Sequence, residues 1–352
     1  VGVAGARRRA GGGAVTVLVT GASGLLGGAV ARALVARGHA VRTLQRRPSG
    51  APGAQDVTGS VTDERAVAAA VAGVDAVVHL AARVSLAGPR EEFDTVNVGG
   101  TATLLEHGDR AGVRRFVQVS SPSVAHGGAS LVGVGAEPAD PAHARGDYAR
   151  TKAAAELLAL DRDRAGAGGM AVVAVRPHLV WGPGDTQLVE RVLDRAARGR
   201  LPLLDRGAAL IDTTYVDNAA DGIVAALDRA AAPEVHGRAY VLTNGEPRTV
   251  ADLLAGICRA GGVRPPAWRV PARVARAAGG VVEAVWRLRP GTDEPPMTRF
   301  LAEQLSTAHW FDQRATRADL RWTPAVSLDE GLARLAAHYG GTPDPARRAT
   351  AS

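Results

Sequence analysis

The strongest constraint on the fold is a glycine spacing near the start of the chain. Val15–Thr20 is a short, β-branched run, followed by Gly21-Ala-Ser23-Gly24-Leu25-Leu26-Gly27 and a helical pattern from about Leu25 to Arg37. Gly38-His39 ends that helix, and Ala40–Gln45 reads as a second strand. Glycines placed between a strand and a helix let the backbone approach a pyrophosphate, whose charge then lies at the helix N-terminus. The turn lacks the Lys-Ser/Thr ending of a nucleotide-triphosphate loop. The predicted unit is therefore a dinucleotide-binding βαβ, with Gly21, Ser23, Gly24, Leu25, Leu26 and Gly27 as candidate contacts.

The alternation continues along the chain. A helix near Asp63–Ala72 precedes a strand at Ala76–Leu80, and a helix across Phe93–Ala111 precedes a strand at Phe116–Ser120. A helix over Tyr148–Arg164 precedes a strand at Ala171–Arg176. Helices alternating with apolar strands imply an α/β fold, a doubly wound parallel sheet covered on both faces. After Pro177 come turn-rich pieces, a helix at Val216–Arg229, a strand at Ala239–Thr243 and a helix at Val250–Ala260. The expected division is a disordered leader (1–14), a dinucleotide-binding core (15–177), the remaining core elements with a smaller C-terminal substrate cap (178–340), and a flexible tail (341–352).

Composition excludes several function classes. Apolar residues make up 46% and charged residues 22% of the 352, as in soluble globular proteins, and no apolar run approaches a membrane span. The single cysteine, Cys258, permits neither an intramolecular disulfide nor a cysteine metal site, and fits a reducing cytoplasm. The formal charge of +7 comes from arginines scattered among alanines and glycines, without the basic, aromatic-laced stripe of a nucleic-acid binder. No Gly-x-Ser-x-Gly elbow suggests a hydrolase, and no close histidine pair suggests a metal. His79 reads as structural, whereas His126 and His178 are candidates for lining an active site.

Tyr148 and Lys152 stand four residues apart on a predicted helix and so share one face. A phenol ionises near pH 10, and a neighbouring cation favours the phenolate, which suits a proton donor and acceptor in carbonyl–alcohol interconversion. With the other motifs in order, the chain resembles the extended short-chain dehydrogenase/reductases over about residues 15–335. Thr20, Gly21, Gly24 and Gly27 match that family's glycine motif. His79-Leu80-Ala81-Ala82 matches the turn along the cofactor, and Asn97-Val-Gly-Gly-Thr101 matches the Asn-x-x-Gly-Thr helix. Val119-Ser-Ser-Pro-Ser-Val124 matches the strand end with the catalytic serine, and Arg176-Pro177 the strand end beside the nicotinamide.

The resemblance implies roles. Tyr148 is the general acid of a reduction, Lys152 lowers its pKa and holds the nicotinamide ribose, and Ser121 orients the substrate oxygen. Ser121 is chosen over Ser120 and Ser123 from its distance to Val124. Asn97 is a structural or proton-relay group. Cofactor contacts are also implied at Leu80, Ala81, Ala82, Val119, Pro177 and, at the end of the third strand, Ser60 and Val61. Two departures stand out: Ser60 replaces an aspartate that reads adenine, and Leu80 replaces an asparagine.

The end of the second strand, Leu44-Gln45-Arg46-Arg47, offers no acidic group for an adenosine 2′-hydroxyl. Arginines there suit a 2′-phosphate, so NADPH/NADP is expected over NAD, with Arg46 and Arg47 as contacts.

Later segments narrow the resemblance to the 3β-hydroxysteroid-dehydrogenase-like branch. They are Arg176–Asp185, Asp212–Asn218, Thr243–Pro247 and Glu294–Gln304. Within that branch they are most similar to the 2-alkyl-3-oxoalkanoate reductases of bacterial olefin biosynthesis, which implies a long-chain β-keto acid as the substrate. Alternatives are a steroid dehydrogenase, a nucleotide-sugar epimerase or dehydratase, and a non-catalytic dinucleotide sensor. Apolar residues at 270, 274, 278, 281, 285 and 288 predict an amphipathic cap helix over Val270–Leu288. Core cover, a membrane-surface contact, an acyl-tunnel wall and a partner dock all fit that pattern. A homodimer or an assembly with pathway enzymes is left open.

Overall fold

The computed structural model describes residues 14–85, 88–287 and 299–340, and side chains at 283–301 are not described. The expected leader up to residue 13, the tail from 341 and positions 294–298 of the Glu294–Gln304 segment lie outside the described residues.

The chain opens β1 (Thr16–Thr20), α1 (Leu25–Ala36), β2 (Ala40–Gln45), β3 (Ala54–Thr58), α2 (Glu64–Val71) and β4 (Ala76–His79). Asp63 caps α2 by accepting bonds from the backbone of Arg65 and Ala66, which ends the loop after β3 and starts the helix one residue later. The helix expected across Phe93–Ala111 is in three parts. A short α3 (Arg90–Phe93) passes through a π-helical turn at Asp94–Gly99 into α4 (Gly100–Ala111). Such an overwide turn re-aims the side chains within it, here Asn97.

Next come β5 (Arg115–Val119), β6 (Leu131–Val134), α5 (Gly146–Asp161), β7 (Ala171–Pro177) and β8 (Val180–Trp181). They are followed by α6 (Val189–Ala197), β9 (Leu203–Leu204), β10 (Leu210–Ile211), β11 (Thr214–Tyr215), α7 (Val216–Arg229) and β12 (Ala239–Leu242). The chain continues with β13 (Arg248–Thr249), α8 (Val250–Ala260), β14 (Arg269–Val270), α9 (Ala272–Arg287), α10 (Arg299–Gln304), β15 (His309–Phe311), α11 (Arg314–Leu320) and α12 (Leu328–Gly340).

Seven strands form one parallel sheet in the order β12-β7-β5-β4-β1-β2-β3. The order reverses at β1, so the C-terminal ends of β1 and β4 open a crevice where ligands bind in such sheets. The central strands are buried on both faces, which explains their continuous apolar runs: Val17, Leu18 and Val19 in β1, Val77 and Val78 in β4, and Val172 to Val175 in β7. Two apolar clusters cover the faces. One includes Val30, Leu34, Ile223 and Leu227 of α1 and α7; the other includes Val67, Leu104 and Leu105 of α2 and α4.

A second, four-stranded sheet, β13-β10-β15-β6, joins segments on both sides of α7. It brings β6, from the loop that follows the Ser121 turn, beside β15 near the end of the chain.

The predicted cap helix differs in register. Val270 belongs to β14 and the helix starts at Ala272, after Pro271. Ala272, Ala275 and Gly279 are its buried positions, with Ala272 and Ala275 packed against Leu204 and Ala302. Val274 and Val281, expected on the apolar stripe, are 51% and 65% exposed. Small residues let the helix approach closely on one face, and that face decides its orientation against the weaker pull of two valines. Leu288 lies outside the described residues. Among the described residues, no helix is long and apolar enough to cross a membrane.

Candidate active site

The glycine turn is built for close backbone approach. Gly21 has φ of +75°, and a Cβ there would lie 2.9 Å from the Ala81 nitrogen. A Cβ at Gly27 would lie 2.3 Å from the Gly21 carbonyl oxygen, so α1 could not pack onto the turn with any other residue. Gly24 precedes α1 without a side-chain cap, leaving the first-turn amides of Leu25, Leu26 and Gly27 for a bound anion. Ser23 and Gly24 are exposed at the tip, and Leu25 and Leu26 are half-buried. These residues fit the pyrophosphate of a dinucleotide.

The turn is held to β4 by a buried polar chain. Thr20 Oγ1 lies 2.7 Å from His79 Nδ1 and accepts bonds from the backbone of Leu80 and Ala81. His79 Nε2 lies 3.0 Å from Thr101 Oγ1, whose own proton goes to the Asn97 carbonyl. Thr101 must then accept from Nε2–H, which leaves Nδ1 to accept from Thr20. Burial pushes the His79 imidazole down to about 3, with the Lys152 charge acting in the same sense, so it stays neutral.

Asn97 continues the chain. Its Oδ1 accepts from the Arg83 backbone at 2.7 Å, and its Nδ2 donates to Thr151 Oγ1 at 2.9 Å. Thr151 donates to the Asp147 carbonyl at 2.7 Å. Both ends of the Asn97 amide are thus engaged with protein, and it ties the loop after β4 to the helix carrying Tyr148. Thr20 and Thr101 stand in motifs that the sequence displays, but nothing in the spacing marks Thr151 or the bonds that join the three, because the partners come from four separate elements.

The predicted catalytic residues converge. Ser121 precedes a 3₁₀ turn at Pro122–Ala125, and its hydroxyl lies close enough to the Tyr148 phenol to favour the phenolate. Ser123 Oγ donates to Ser121 Oγ at 3.0 Å, orienting the Ser121 proton towards Tyr148. Ser120 points elsewhere: its hydroxyl is buried with no partner among the described residues. Tyr148 and Lys152 lie on α5 beneath the end of β5. Lys152 Nζ donates to the Val119 carbonyl at 2.5 Å, and the residue is 4% exposed.

Burial raises the Tyr148 phenol to about 12, with the Ser121 hydroxyl pulling the other way. The Lys152 ammonium is turned to Val119 and is itself held down to about 8 by burial, against the pull of Glu156. Tyr148 is therefore protonated at neutral pH, the form a general acid needs.

Glu156, one turn beyond Lys152, forms a buried bidentate pair with Arg176 at 2.9 and 2.5 Å. Arg176 also donates to the Glu137 carbonyl at 2.6 Å. This pair locks α5 against β7 and so sets Tyr148 relative to Pro177, buried at the strand end.

The remaining predicted contacts line the crevice edges. Leu80, Ala81 and Ala82 are half-buried after β4. Val61 is buried, and Ser60 Oγ lies 2.8 Å from Thr62 Oγ1. Arg46 and Arg47 are exposed after β2, and neither has an ion-pair or hydrogen-bond partner among the described residues. His126 and His178 are both buried, each with its ring against His309 or Phe311. No group of acidic, histidine or cysteine residues suited to a metal occurs among the described residues.

Comparison with known proteins agrees with this geometry. Residues 17–242 match the family described as the NAD dependent epimerase/dehydratase family. A 2-alkyl-3-oxoalkanoate reductase of Stenotrophomonas maltophilia is 40% identical over 330 residues, covering 91% of this chain and 98% of that protein. A 3 beta-hydroxysteroid dehydrogenase/Delta 5-->4-isomerase of Mycobacterium tuberculosis is 33% identical over 338 residues, covering 92% and 90%. A short-chain dehydrogenase/reductase superfamily protein from Agrobacterium tumefaciens, solved with bound NAD, superposes with a TM-score of 0.71 at 25% identity, covering 95% and 99%. With its glycine cradle and its Ser121–Tyr148–Lys152 constellation in one crevice, the chain belongs to the NAD dependent epimerase/dehydratase family and is an NAD(P)-dependent oxidoreductase acting on a carbonyl or alcohol group.

Proposed function

We propose that the chain reduces a long-chain 2-alkyl-3-oxoalkanoic acid to the 2-alkyl-3-hydroxy acid with NADPH, a step on the way to olefinic hydrocarbons. The observation that carries the chemistry is the Ser121 hydroxyl set beside a Tyr148 phenol that burial keeps protonated. The relative at 40% identity, named for that reaction, supports the substrate. When bound, the nicotinamide supplies the hydride that the carbonyl carbon accepts. Ser121 donates to the carbonyl oxygen and fixes its angle. Tyr148 then gives that oxygen its proton, so that C=O becomes CH–OH, and solvent reprotonates the phenolate. Lys152, a cation held beside Tyr148's helix face, stabilises the phenolate while it exists.

Two tails and one carboxylate define the substrate. Each buried methylene contributes roughly 0.8 kcal/mol, so KM falls steeply with chain length until the binding surface is filled. Oxidation of 2-alkyl-3-hydroxy acids of graded length with NADP⁺ tests this. Activity that is flat across lengths, or confined to sterols or nucleotide sugars, overturns it.

The cofactor preference rests on Arg46 and Arg47, exposed and without carboxylate partners after β2. A guanidinium fork matches phosphate oxygens. The expected result is a higher kcat/KM with NADPH than with NADH. Arg46→Ala should cut that ratio about tenfold, the loss of a charge-assisted bond. Equal use of both coenzymes by the unaltered protein sinks the assignment.

A further inference from the structure

We propose that Arg145 receives the carboxylate of the 3-oxo acid, an inference that rests on the substrate reading above. In such an acid a single carbon separates the carbonyl carbon from the carboxyl carbon. Its carboxylate must therefore lie within a few ångströms of the oxygen that Ser121 and Tyr148 hold. A receptor on a segment adjoining both residues stands at that distance.

Arg145 meets that requirement. It is the residue immediately before α5 and lies three positions ahead of Tyr148. Its side chain crosses to the other catalytic segment. Nε donates to the carbonyl of Gly127 at 3.2 Å, in the loop that leaves the Ser121 turn. A terminal nitrogen lies 3.0 Å from where a Cβ on Gly128 would stand, so the glycine keeps room for the guanidinium. The cation thus bridges the stretch that carries Ser121 and the helix that carries Tyr148.

Its charge is also uncommitted. Neighbouring arginines are ion-paired: Arg83 with Glu92, Arg90 and Arg150 with Asp94 and Asp147, and Arg176 with Glu156. Lys152 is turned to the Val119 carbonyl. Arg145 is exposed and has no carboxylate partner among the described residues. Two of its nitrogens remain for a bidentate pair with a carboxylate, the geometry guanidinium groups favour. Behind it, His126 is buried with neither ring nitrogen bonded among the described residues. Burial keeps that ring neutral, with Glu303 raising and Arg145 lowering its affinity for a proton. The cation that acts on this ring is Arg145, with the buried Glu303 carboxylate as the opposing charge.

The test compares a 2-alkyl-3-hydroxy acid with its methyl ester, assayed as oxidation with NADP⁺, in the unaltered protein and in Arg145→Met and Arg145→Lys. Arg145→Met should raise KM for the acid about tenfold, the loss of a charge-assisted pair made by an exposed arginine. Its kinetics on the ester and its coenzyme affinity should change little. Arg145→Lys, which keeps the charge without the fork, should recover part of the loss on the acid. If Arg145→Met loses acid and ester alike, the residue holds the loop rather than the carboxylate, and the proposal fails. It fails equally if the acid is unaffected. An unaltered protein that binds coenzyme but oxidises neither compound overturns the substrate reading itself, a separate outcome from either of these.

Discussion

Replacing Tyr148 by phenylalanine is expected to lower kcat by about two to four orders of magnitude, the usual contribution of a positioned general acid. The ring fills the same space, so fold and coenzyme binding should persist. The Ser121 hydroxyl, still oriented by Ser123, would remain to hold the substrate oxygen. The carbonyl would gain hydride but no proton from the protein. Because burial holds the phenol at about 12 while the Lys152 ammonium is near 8, the proton inventory near neutrality is a neutral tyrosine beside a charged lysine. Single-turnover measurements of coenzyme oxidation would check this. A Tyr148→Phe protein retaining a third of the normal chemical rate would show that another group donates the proton.

Acid should unfold this protein early. Three histidines are buried in neutral form: His79 and His309 pushed down to about 3, and His178 to about 4, each chiefly by burial. The unfolded chain takes up a proton at each near pH 6.5, while the folded chain refuses it. Stability is therefore fully present above 6.5 and falls as pH drops through the window from 6.5 towards 4. Each such group contributes about 1.4 kcal/mol per pH unit there. Asp212 opposes them. Burial raises it to about 6, so between 6 and 3.8 the folded state binds its proton more tightly and gains stability as pH falls. Three histidines against one aspartate leave a net slope of roughly 3 kcal/mol per pH unit. The loss reaches roughly 7 kcal/mol by pH 4, enough to unfold a protein at the low end of the typical 5–15 kcal/mol between about pH 4 and 5. Denaturant titrations at half-unit pH steps would measure the slope, and His309→Phe should reduce it by about half. A stability that stays level from pH 7 to 4.5 would falsify the account.

A cluster of buried histidines illustrates where the sequence stops being informative. His126, His178 and His309 are far apart in the chain, yet their rings stand 4.8 and 5.8 Å from one another. They meet because β15 pairs with β6 and because Asp212, whose carbonyl bonds His178 Nδ1, follows β10. Long-range pairing of short strands leaves no local periodicity to read.

What the sequence determined by itself is the frame and its punctuation. Gly21, Gly24 and Gly27 between two apolar strands dictate a close-approach turn, since only glycine tolerates +75° at position 21 and a 2.3 Å approach at position 27. The Tyr148–Lys152 interval places both residues on one helix, and the apolar runs at 76–79 and 171–177 demand strands buried on two faces. These are local properties, set by steric limits and by period.

The tertiary structure decided the rest. It brought the Lys152 ammonium to the Val119 carbonyl and buried Tyr148, and desolvation raises the phenol, a contribution that the four-residue spacing does not carry. It turned Val274 and Val281 outward, because close packing of Ala272 and Ala275 on Leu204 and Ala302 fixes the helix face. It also set Arg145 across the gap from the Ser121 turn, through a bond to the Gly127 carbonyl. Each of these depends on which distant segments come to lie within a few ångströms, and burial and electrostatics act on that distance rather than on separation along the chain.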